Sequence, residues 1–312
     1  SRTSAFRHAD TAPDATHIAR ELGVRYVVEG TVRASGASCA VSVNLIDADW
    51  DALMLAGSFG RGFQRDLDDP RKWQTVWDQP DITFGGRYRV TTVEVEGDGP
   101  DIVLIPGLSS PRAVWAPTAE RLKTTHRLHL VEVRGFGGDA PGLNAEGPIL
   151  EPMMREIADY IDDCIVDQGR PAPAVIGHSL GGLTAMMIAA RAPKEVGRLM
   201  VVDSLSFFGM LFGPTATVAS VEPQAAALQT MLAARDSAEA DERTLQMMSA
   251  TDAGRAQVKA WTQAANAKVA AQLMYDDMTT DLRPELRAIA APFTMLYPLD
   301  ASVMPEAMVD GL

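Results

Sequence analysis

Cysteine is nearly absent from this 312-residue sequence, which contains only Cys39 and Cys164. Two cysteines are too few for a disulfide framework, and they form no metal-binding cluster. The five histidines also lack the His-x-x-x-His spacing, or a similar spacing, that a metal site would show. We therefore predict that the protein holds no metal ion.

Positive charge and long apolar runs are also scarce. The formal net charge is -13 at pH 7, which argues against nucleic acid or an anionic membrane as a partner. No run of eighteen apolar residues occurs, so no membrane span is predicted. The sequence starts at Ser1 with no signal peptide before it, which slightly favours a cytoplasmic location and suggests a processed product or a fragment.

A charged stretch with a proline divides the chain into two predicted units. Residues 70–86 include Pro80 and the pair Gly85-Gly86, and this composition is typical of a linker. The first unit, residues 1–69, is predicted to be a small α/β module. The second unit, residues 87–312, is long enough for a sizeable core.

The first unit carries a helix signal followed by a hairpin signal. A helix is predicted over residues 16–22, ended by Gly23. Alternating apolar and polar residues predict paired strands over 25–33 and 39–47. This unit resembles the FlgO/TolB-amino-terminal-like domain, and the resemblance implies no chemistry. The matching residues are Ser1–Ser4, Glu21–Arg33 and Asn44–Ala48.

In the second unit, strand patterns alternate with helix patterns. Strands are predicted over residues 87–96, 101–105, 128–133, 174–176, 198–202 and 293–297, and helices over 115–122 and 151–168. This alternation predicts an α/β fold with a mostly parallel sheet and helices on both faces. Residues 207–289 show no strand signal, so several helices are expected there.

The most informative segment is Gly177-His178-Ser179-Leu180-Gly181. An apolar strand precedes it and a helix-forming run, residues 183–190, follows it, which is the order that a nucleophile elbow requires. The glycines are needed because a Cβ at either position would collide with neighbouring backbone. Such a turn exposes the serine hydroxyl and aims the N–H groups of a helix N-terminus at a developing oxyanion. Ser179 is therefore the predicted nucleophile.

With this segment, residues 85–312 resemble the α/β-hydrolases. The loop Ile105–Ser110 follows an early strand, where the family has a His-Gly-type loop that supplies one backbone N–H to the oxyanion hole. By position that N–H is Leu108, and the resemblance implies Leu180 as the second donor. Pro106 replaces the common histidine, which is tolerable because the donor is backbone.

The resemblance also implies a triad acid at the end of a late strand. Asp300 follows the last predicted strand and is the favoured acid. Asp203, which ends the strand before it, is the alternative, because some members of the family place the acid one strand earlier.

The sequence offers no histidine at the position where the family has the base of the triad. The family order is serine, acid, histidine, yet no histidine follows His178 in this sequence. On the tight turn the His178 side chain is expected to point away from the nucleophile, and His126 and His129 are expected to be structural. The chain therefore reads as a hydrolase that is C-terminally incomplete, with catalysis impaired by loss of a triad member. We predict that no imidazole lies within about 2.6–3.2 Å of the Ser179 hydroxyl.

A glycine-rich loop, Arg134–Gly138, follows another strand. It could resemble a dinucleotide loop, but it lacks the G-x-G-x-x-G spacing because Ala140 and Pro141 stand where the last glycine would fall. We predict no nucleotide cofactor and no other cofactor.

The expected helices over residues 207–289 would form a lid. Five methionines there are suited either to a pocket for acyl or aromatic groups or to the lid's own core; they are Met231, Met247, Met248, Met274 and Met278.

The predicted function is hydrolysis of small apolar carboxylic esters. The alternatives are a non-catalytic interaction module on a hydrolase scaffold, and a hydrolase of amide, peptide or carbon–carbon bonds. A haloalkane-type mechanism is disfavoured because it needs an aspartate where Ser179 stands.

Overall fold

The computed structural model describes residues 26–35, 38–47, 52–59 and 90–297. The chain divides into two compact units, Ser1–Tyr88 and Arg89–Leu312. The predicted helix over 16–22, the linker and Asp300 lie outside the described residues.

The first unit contains a three-stranded antiparallel sheet in the order β1-β2-β3. The strands are β1 (Tyr26–Ser35), β2 (Ser38–Asp47) and β3 (Ala52–Phe59). The predicted hairpin is confirmed, with Tyr26 opposite Asp47 and Ser35 opposite Ser38. Strand β3 is not among the predicted strands, because its apolar residues run together and such a run does not distinguish a strand from a helix.

The second unit is built on a six-stranded sheet in the order β4-β6-β5-β7-β8-β9. Its strands are β4 (Thr91–Glu96), β5 (Asp101–Ile105), β6 (Arg127–Val133), β7 (Ala174–His178), β8 (Arg198–Val202) and β9 (Phe293–Leu296). Every pairing is parallel except that of β4 with β6. This confirms the predicted fold class, an α/β-hydrolase type of sheet with helices in the connections.

The helices alternate with these strands. They are α1 (Ala116–Leu122), α2 (Leu150–Ile161), α3 (Leu180–Arg191), α4 (Val218–Ala233), α5 (Glu242–Met248), α6 (Asp252–Ala264) and α7 (Ala267–Thr279). The helix predicted over 151–168 is shorter, because after Ile161 the chain passes into a π-helical turn, Asp162–Val166. No helix of the described chain combines the length and apolar character needed to cross a bilayer.

The core lies around the central strands and helix α3. All five residues of β5 are buried, which is expected of a parallel strand covered on both faces. Ten consecutive residues of α3, from Leu180 to Ala189, are also buried. Strand β5 and helix α3 therefore form the centre of the core.

Helices α4 to α7 form an insertion between β8 and β9, which we call the helical insertion. Asp276 of α7 joins it to the rest of the unit, since its Oδ2 accepts hydrogen bonds from the N–H groups of Ile149 (2.7 Å) and Leu150 (3.0 Å) at the start of α2. These N–H groups have no partner within the helix, so the carboxylate stabilises the helix N-terminus. The insertion is thereby fixed to the sheet domain by a buried charged group.

The five methionines of the insertion separate into two groups. Met278 is buried in a cluster with Phe207, Val221 and Ala225, and Met274 packs against it. These two serve the insertion's own core, which is one of the two roles predicted for them. The other three, Met231, Met247 and Met248, are exposed.

Strand β9 is the terminal strand of the described sheet. Its side chains Phe293 and Leu296 are 44% and 48% exposed, and an edge strand with exposed apolar side chains is prone to pair with another chain. We expect self-association that rises with protein concentration and that Leu296→Lys reduces, measured by size-exclusion chromatography with light scattering. Leu143→Lys, at a loop position 58% exposed, is the control. Equal effects of both substitutions would contradict an association through β9.

His129 of β6 belongs to a buried polar network on the side of the sheet opposite to the strands' carboxyl ends. Its Nε2 lies 2.9 Å from Asp101 Oδ1 and its Nδ1 lies 2.7 Å from the Tyr160 hydroxyl. Asp101 also accepts a hydrogen bond from Arg170 Nε at 2.5 Å. Burial raises the pKa of Asp101, but the hydrogen bonds and charges of His129 and Arg170 outweigh it, so the pKa is lowered. The predicted structural role of His129 fits this network.

The network makes stability depend on pH. Burial lowers the pKa of His129 against the opposing effect of Asp101, so the folded protein holds a neutral imidazole where the unfolded chain protonates near pH 6.5. A depressed pKa contributes stability above the unfolded pKa, and that stability is lost as pH falls, by at most about 1.4 kcal/mol per pH unit. We expect His129→Gln to flatten the decline in the free energy of unfolding between pH 7 and pH 5, measured by urea denaturation. Parallel curves for the two proteins would contradict this role.

Candidate active site

Ser179 lies between the end of β7 and the first residue of α3. Its backbone angles are φ 53° and ψ -123°, in a region that non-glycine residues rarely adopt and that costs about 1–3 kcal/mol. The Ser179 N–H donates to the Val202 carbonyl of β8 at 2.9 Å, which ties the turn to the neighbouring strand. The structure therefore has the predicted strand-to-helix turn, with the predicted strain at the serine.

The glycines on both sides of Ser179 are required by space. A Cβ on Gly177 would lie 2.0 Å from the Gly181 carbonyl oxygen, and a Cβ on Gly181 would lie 2.3 Å from the Ile105 carbonyl oxygen. Both contacts are with backbone, which cannot move aside as a flexible side chain can. The sequence Gly-x-Ser-x-Gly thus allows β7, α3 and the end of β5 to approach one another closely.

The loop after β5 passes directly beside the serine. A Cβ on Gly107 would lie 3.2 Å from the Cβ of Ser179, so the loop that carries Leu108 borders the turn. Within the described chain, the N–H groups of Leu108 and Leu180 make no hydrogen bond with another residue. Leu180 is the first residue of α3, where N–H groups have no partner inside the helix. Two free donors on either side of the serine form a suitable environment for a negatively charged oxygen.

His178 lies in this turn but is not placed as a base. Burial lowers its pKa, and the charge of Asp203 opposes that effect. Its Nδ1 is buried without a hydrogen-bond partner among the described residues. This nitrogen faces Gly107, where an added Cβ would lie 3.0 Å from it. Across the described ranges, the Ser179 hydroxyl has no hydrogen bond to a histidine. The prediction that no imidazole reaches it stays a prediction for the remaining residues.

Of the two candidate acids, only Asp203 lies within the described residues. Asp203 follows β8 directly, has φ 49°, and donates its N–H to the Leu296 carbonyl at 2.7 Å. Its side chain is exposed. Asp300 lies outside the described residues, so the comparison of the two carboxylates stays a prediction.

An ion pair behind the loop after β5 was not singled out by the sequence. Arg112 begins the 3-10 turn Arg112–Trp115, and Glu132 of β6 accepts its backbone N–H at 2.9 Å. The two residues are twenty positions apart and belong to different elements, so no local pattern indicates the contact. No group of three or more metal-ligating side chains occurs in the described part of the chain.

The match to protein families covers most of the second unit. Residues 102–311 match the alpha/beta hydrolase family, which is about two thirds of the chain. The chain therefore belongs to the alpha/beta hydrolase family, as the strand-to-helix turn at Ser179 and the sheet order indicate.

Curated relatives are esterases. The chain is 38% identical over 109 residues to a pimeloyl-[acyl-carrier protein] methyl ester esterase of Vibrio campbellii, covering 35% of this chain and 38% of the relative. It is 25% identical over 231 residues to an enzyme of the same name from Nitrosomonas europaea, covering 70% and 84%. The matches to the Vibrio campbellii enzyme and to three Aliivibrio enzymes of that name span only 38% to 40% of those relatives' length.

Solved structures share the fold. A thermophilic esterase from Thermogutta terrifontis superposes with a TM-score of 0.55 at 16% identity, covering 71% of this chain and 79% of that one. A structure from a study of carboxylesterases of Nitrososphaera gargenis superposes with a TM-score of 0.52 at 16% identity, covering 70% and 80%. At these identities the likeness concerns the fold alone.

Proposed function

We propose that the second unit is a serine hydrolase that acts on carboxylic esters with Ser179 as nucleophile. The Ser179 oxygen attacks the acyl carbon while its hydroxyl proton passes to solvent, and the carbonyl oxygen becomes an oxyanion held by the N–H groups of Leu108 and Leu180. Collapse of this tetrahedral intermediate expels the alcohol, which takes up a proton, and leaves an acyl-serine. Water then adds to the acyl carbon and releases the carboxylic acid and the free serine.

The strained turn at Ser179 carries this proposal. A φ of 53° at a serine persists only where the surroundings fix it, and such strain is concentrated at functional sites. The adjoining glycines and the two free N–H groups are what acyl transfer requires around a nucleophile. A chance Gly-x-Ser-x-Gly sequence would have no need of this geometry.

The proposed substrate is a small ester with an apolar acyl part. The relatives named above are pimeloyl-[acyl-carrier protein] methyl ester esterases, which supports an ester bond over an amide or carbon–carbon bond. The helical insertion follows β8 in the chain, and its proposed role is that of a lid over the site. No cofactor takes part in the proposed chemistry.

The proposed triad is incomplete within these 312 residues. Asp300 is the proposed acid, which would orient a histidine, and no histidine follows His178. Without a base, the Ser179 hydroxyl and the attacking water must each lose a proton unaided, so acylation is restricted to esters with a good leaving group and water attack on the acyl-serine is slow. We therefore expect this chain to form an acyl-serine with reactive esters and to release it slowly.

The alternative is a non-catalytic interaction module that retains the elbow as scaffold, and the missing histidine favours it. A fluorophosphonate probe separates the two functions, because fluoride leaves phosphorus without being protonated and a serine beside free N–H donors reacts faster than an ordinary serine. We expect the probe to add its mass to one peptide containing Ser179, and to leave Ser179→Ala unlabelled. Absence of label on the unsubstituted protein would support the interaction module.

A further inference from the structure

Glu132 is an unusually buried carboxylate close to the proposed site. It lies near the carboxyl end of β6, and its side chain is only 7% exposed. One oxygen, Oε2, accepts the backbone N–H of Arg112 at 2.9 Å and the Arg112 Nε at 3.3 Å. The other oxygen is buried with no partner among the described residues. Burying a charged group in this way is costly unless its contacts compensate.

Arg112 extends the contact across two strands. Its guanidinium lies 3.4 Å from Glu94 Oε2 and donates to the Thr92 hydroxyl at 2.5 Å. Thr92 of β4 is directly opposite Glu132 in the antiparallel ladder. The arginine is therefore held at three points on one face of the sheet, with Glu132 as its most buried partner.

The contacts of Arg112 with Glu132, Glu94 and Thr92, which we call the Arg112 anchor, lie at the end of the loop that carries Leu108. The loop leaves β5 at Ile105, passes Ser179 at Gly107 and reaches Arg112 only four residues after Leu108. Ser109 within it has φ 54°, a strained value that the surroundings must hold in place. The loop's own hydrogen bonds are long: the Ser110 N–H donates to the Gly107 carbonyl at 3.3 Å, and the Ser110 hydroxyl to the Leu108 carbonyl at 3.2 Å.

A third element packs on the same anchor. A Cβ on Gly137, whose φ is +61°, would lie 3.3 Å from Glu132 Oε2 and 3.3 Å from Pro111. The glycine-rich loop after β6 therefore covers the carboxylate and the end of the Leu108 loop together. This packing restrains the backbone at the end of the loop that carries Leu108.

We infer that Glu132 is a positioning residue of the oxyanion hole: it anchors Arg112 and thereby fixes the Leu108 N–H beside Ser179. The inference rests on the proposed function of Ser179 and Leu108. Glu132 does not touch the substrate; it acts through the backbone of Arg112. The role requires an acceptor oxygen at this position, which the Glu132 side chain supplies to the Arg112 backbone N–H at 2.9 Å.

The test uses three variants of the 312-residue chain. Glu132→Leu removes the acceptor at similar size, Glu132→Gln keeps an acceptor oxygen, and Glu94→Gln alters the exposed partner of the same arginine. The rate of p-nitrophenol release in the first turnover is measured against the concentration of p-nitrophenyl butyrate. Loss of one oxyanion donor costs about 10²–10³-fold in rate, so a displaced donor in Glu132→Leu should lower the maximal acylation rate at least about tenfold.

The outcomes separate positioning from general stability. We expect the half-saturating ester concentration of Glu132→Leu to change less than about twofold, and Glu132→Gln and Glu94→Gln to acylate within about threefold of the unsubstituted protein. A maximal rate unchanged in folded Glu132→Leu, or equal losses in the Leu and Gln variants, would overturn the inference.

Hydrogen–deuterium exchange tests the anchor independently of chemistry. We expect faster exchange in the peptide containing residues 106–112 of Glu132→Leu, with the peptides of α3 unchanged. Unchanged exchange in that loop would overturn the inference even if the protein hydrolyses esters. Failure of the unsubstituted protein to release p-nitrophenol would instead refute the proposed function, and the exchange result would still decide whether Glu132 holds the loop.

Discussion

Ser179→Ala is expected to abolish the burst of p-nitrophenol that the unsubstituted chain gives with p-nitrophenyl butyrate. The p-nitrophenolate leaving group needs no protonation, so acylation requires only that the Ser179 proton pass to solvent. The acyl-serine is a less reactive alkyl ester, so it accumulates for want of a base. The expected burst approaches one p-nitrophenol per chain and is followed by a slow phase. With alanine at position 179 there is no oxygen to acylate, and only the background rate of the buffer should appear.

The control for this experiment is Ser204→Ala. Ser204 follows β8 and lies against the start of α3, where a Cβ on Gly182 would be 2.6 Å from its Cβ. A general disturbance of the elbow should therefore appear in this variant as well. A burst that persists in Ser179→Ala would place the nucleophile elsewhere. A sustained fast phase in the unsubstituted chain, abolished by Ser179→Ala, would mean that some other group replaces the histidine as base.

The sequence predicts the parts of this fold that depend on local pattern. Strands β5 and β8 have the bounds that their apolar runs predict, and the elbow was recognisable because its glycines and its serine are adjacent in the chain. The chemistry of a tight turn is encoded within five residues, so it can be read without knowing what packs against it.

Contacts between distant segments could not be read in this way. Arg112 and Glu132 meet because β5, which leads to Arg112, lies beside β6 in the sheet. His129 and Asp101 meet because β5 and β6 lie side by side. Polar residues within strands give no sign of their partners, and the cost of burying them becomes visible only once the sheet is assembled.

Two predictions from the sequence remain untested, one in the first unit and one in the triad. The hairpin β1–β2 follows from alternation, but resemblance to the FlgO/TolB-like domain stays a prediction, as does the role of Asp300. Both depend on residues that lie outside the described ranges, namely residues 1–25 and Asp300. Asp203 is exposed and stays the alternative acid, because Asp300 lies outside the described residues.

Gly177→Ala is expected to have the largest effect on stability. The added methyl would lie 2.0 Å from the Gly181 carbonyl oxygen, 2.3 Å from its carbon and 2.6 Å from the Gly182 nitrogen. To relieve these contacts the start of α3 must move away from β7, and α3 is buried along most of its length. We expect a loss of about 4 kcal/mol or more in the free energy of unfolding, the range of the most damaging substitutions.

Gly138→Ala separates collision from backbone strain. Gly138 has φ +90° and nothing within 4 Å of an added Cβ, so its substitution should cost only the strain of a left-handed residue, about 1–2 kcal/mol. Both free energies are measured by urea denaturation, together with fluorophosphonate labelling of whatever folded protein remains. Because the collision can be relieved only by opening the turn, Gly177→Ala should also lose the label at Ser179, while Gly138→Ala should keep it. The prediction would be contradicted if the Gly177→Ala protein were as stable and as readily labelled as Gly138→Ala. In that case β7 and α3 do not approach as closely as the elbow requires, and Ser179 lacks the geometry on which its proposed role depends.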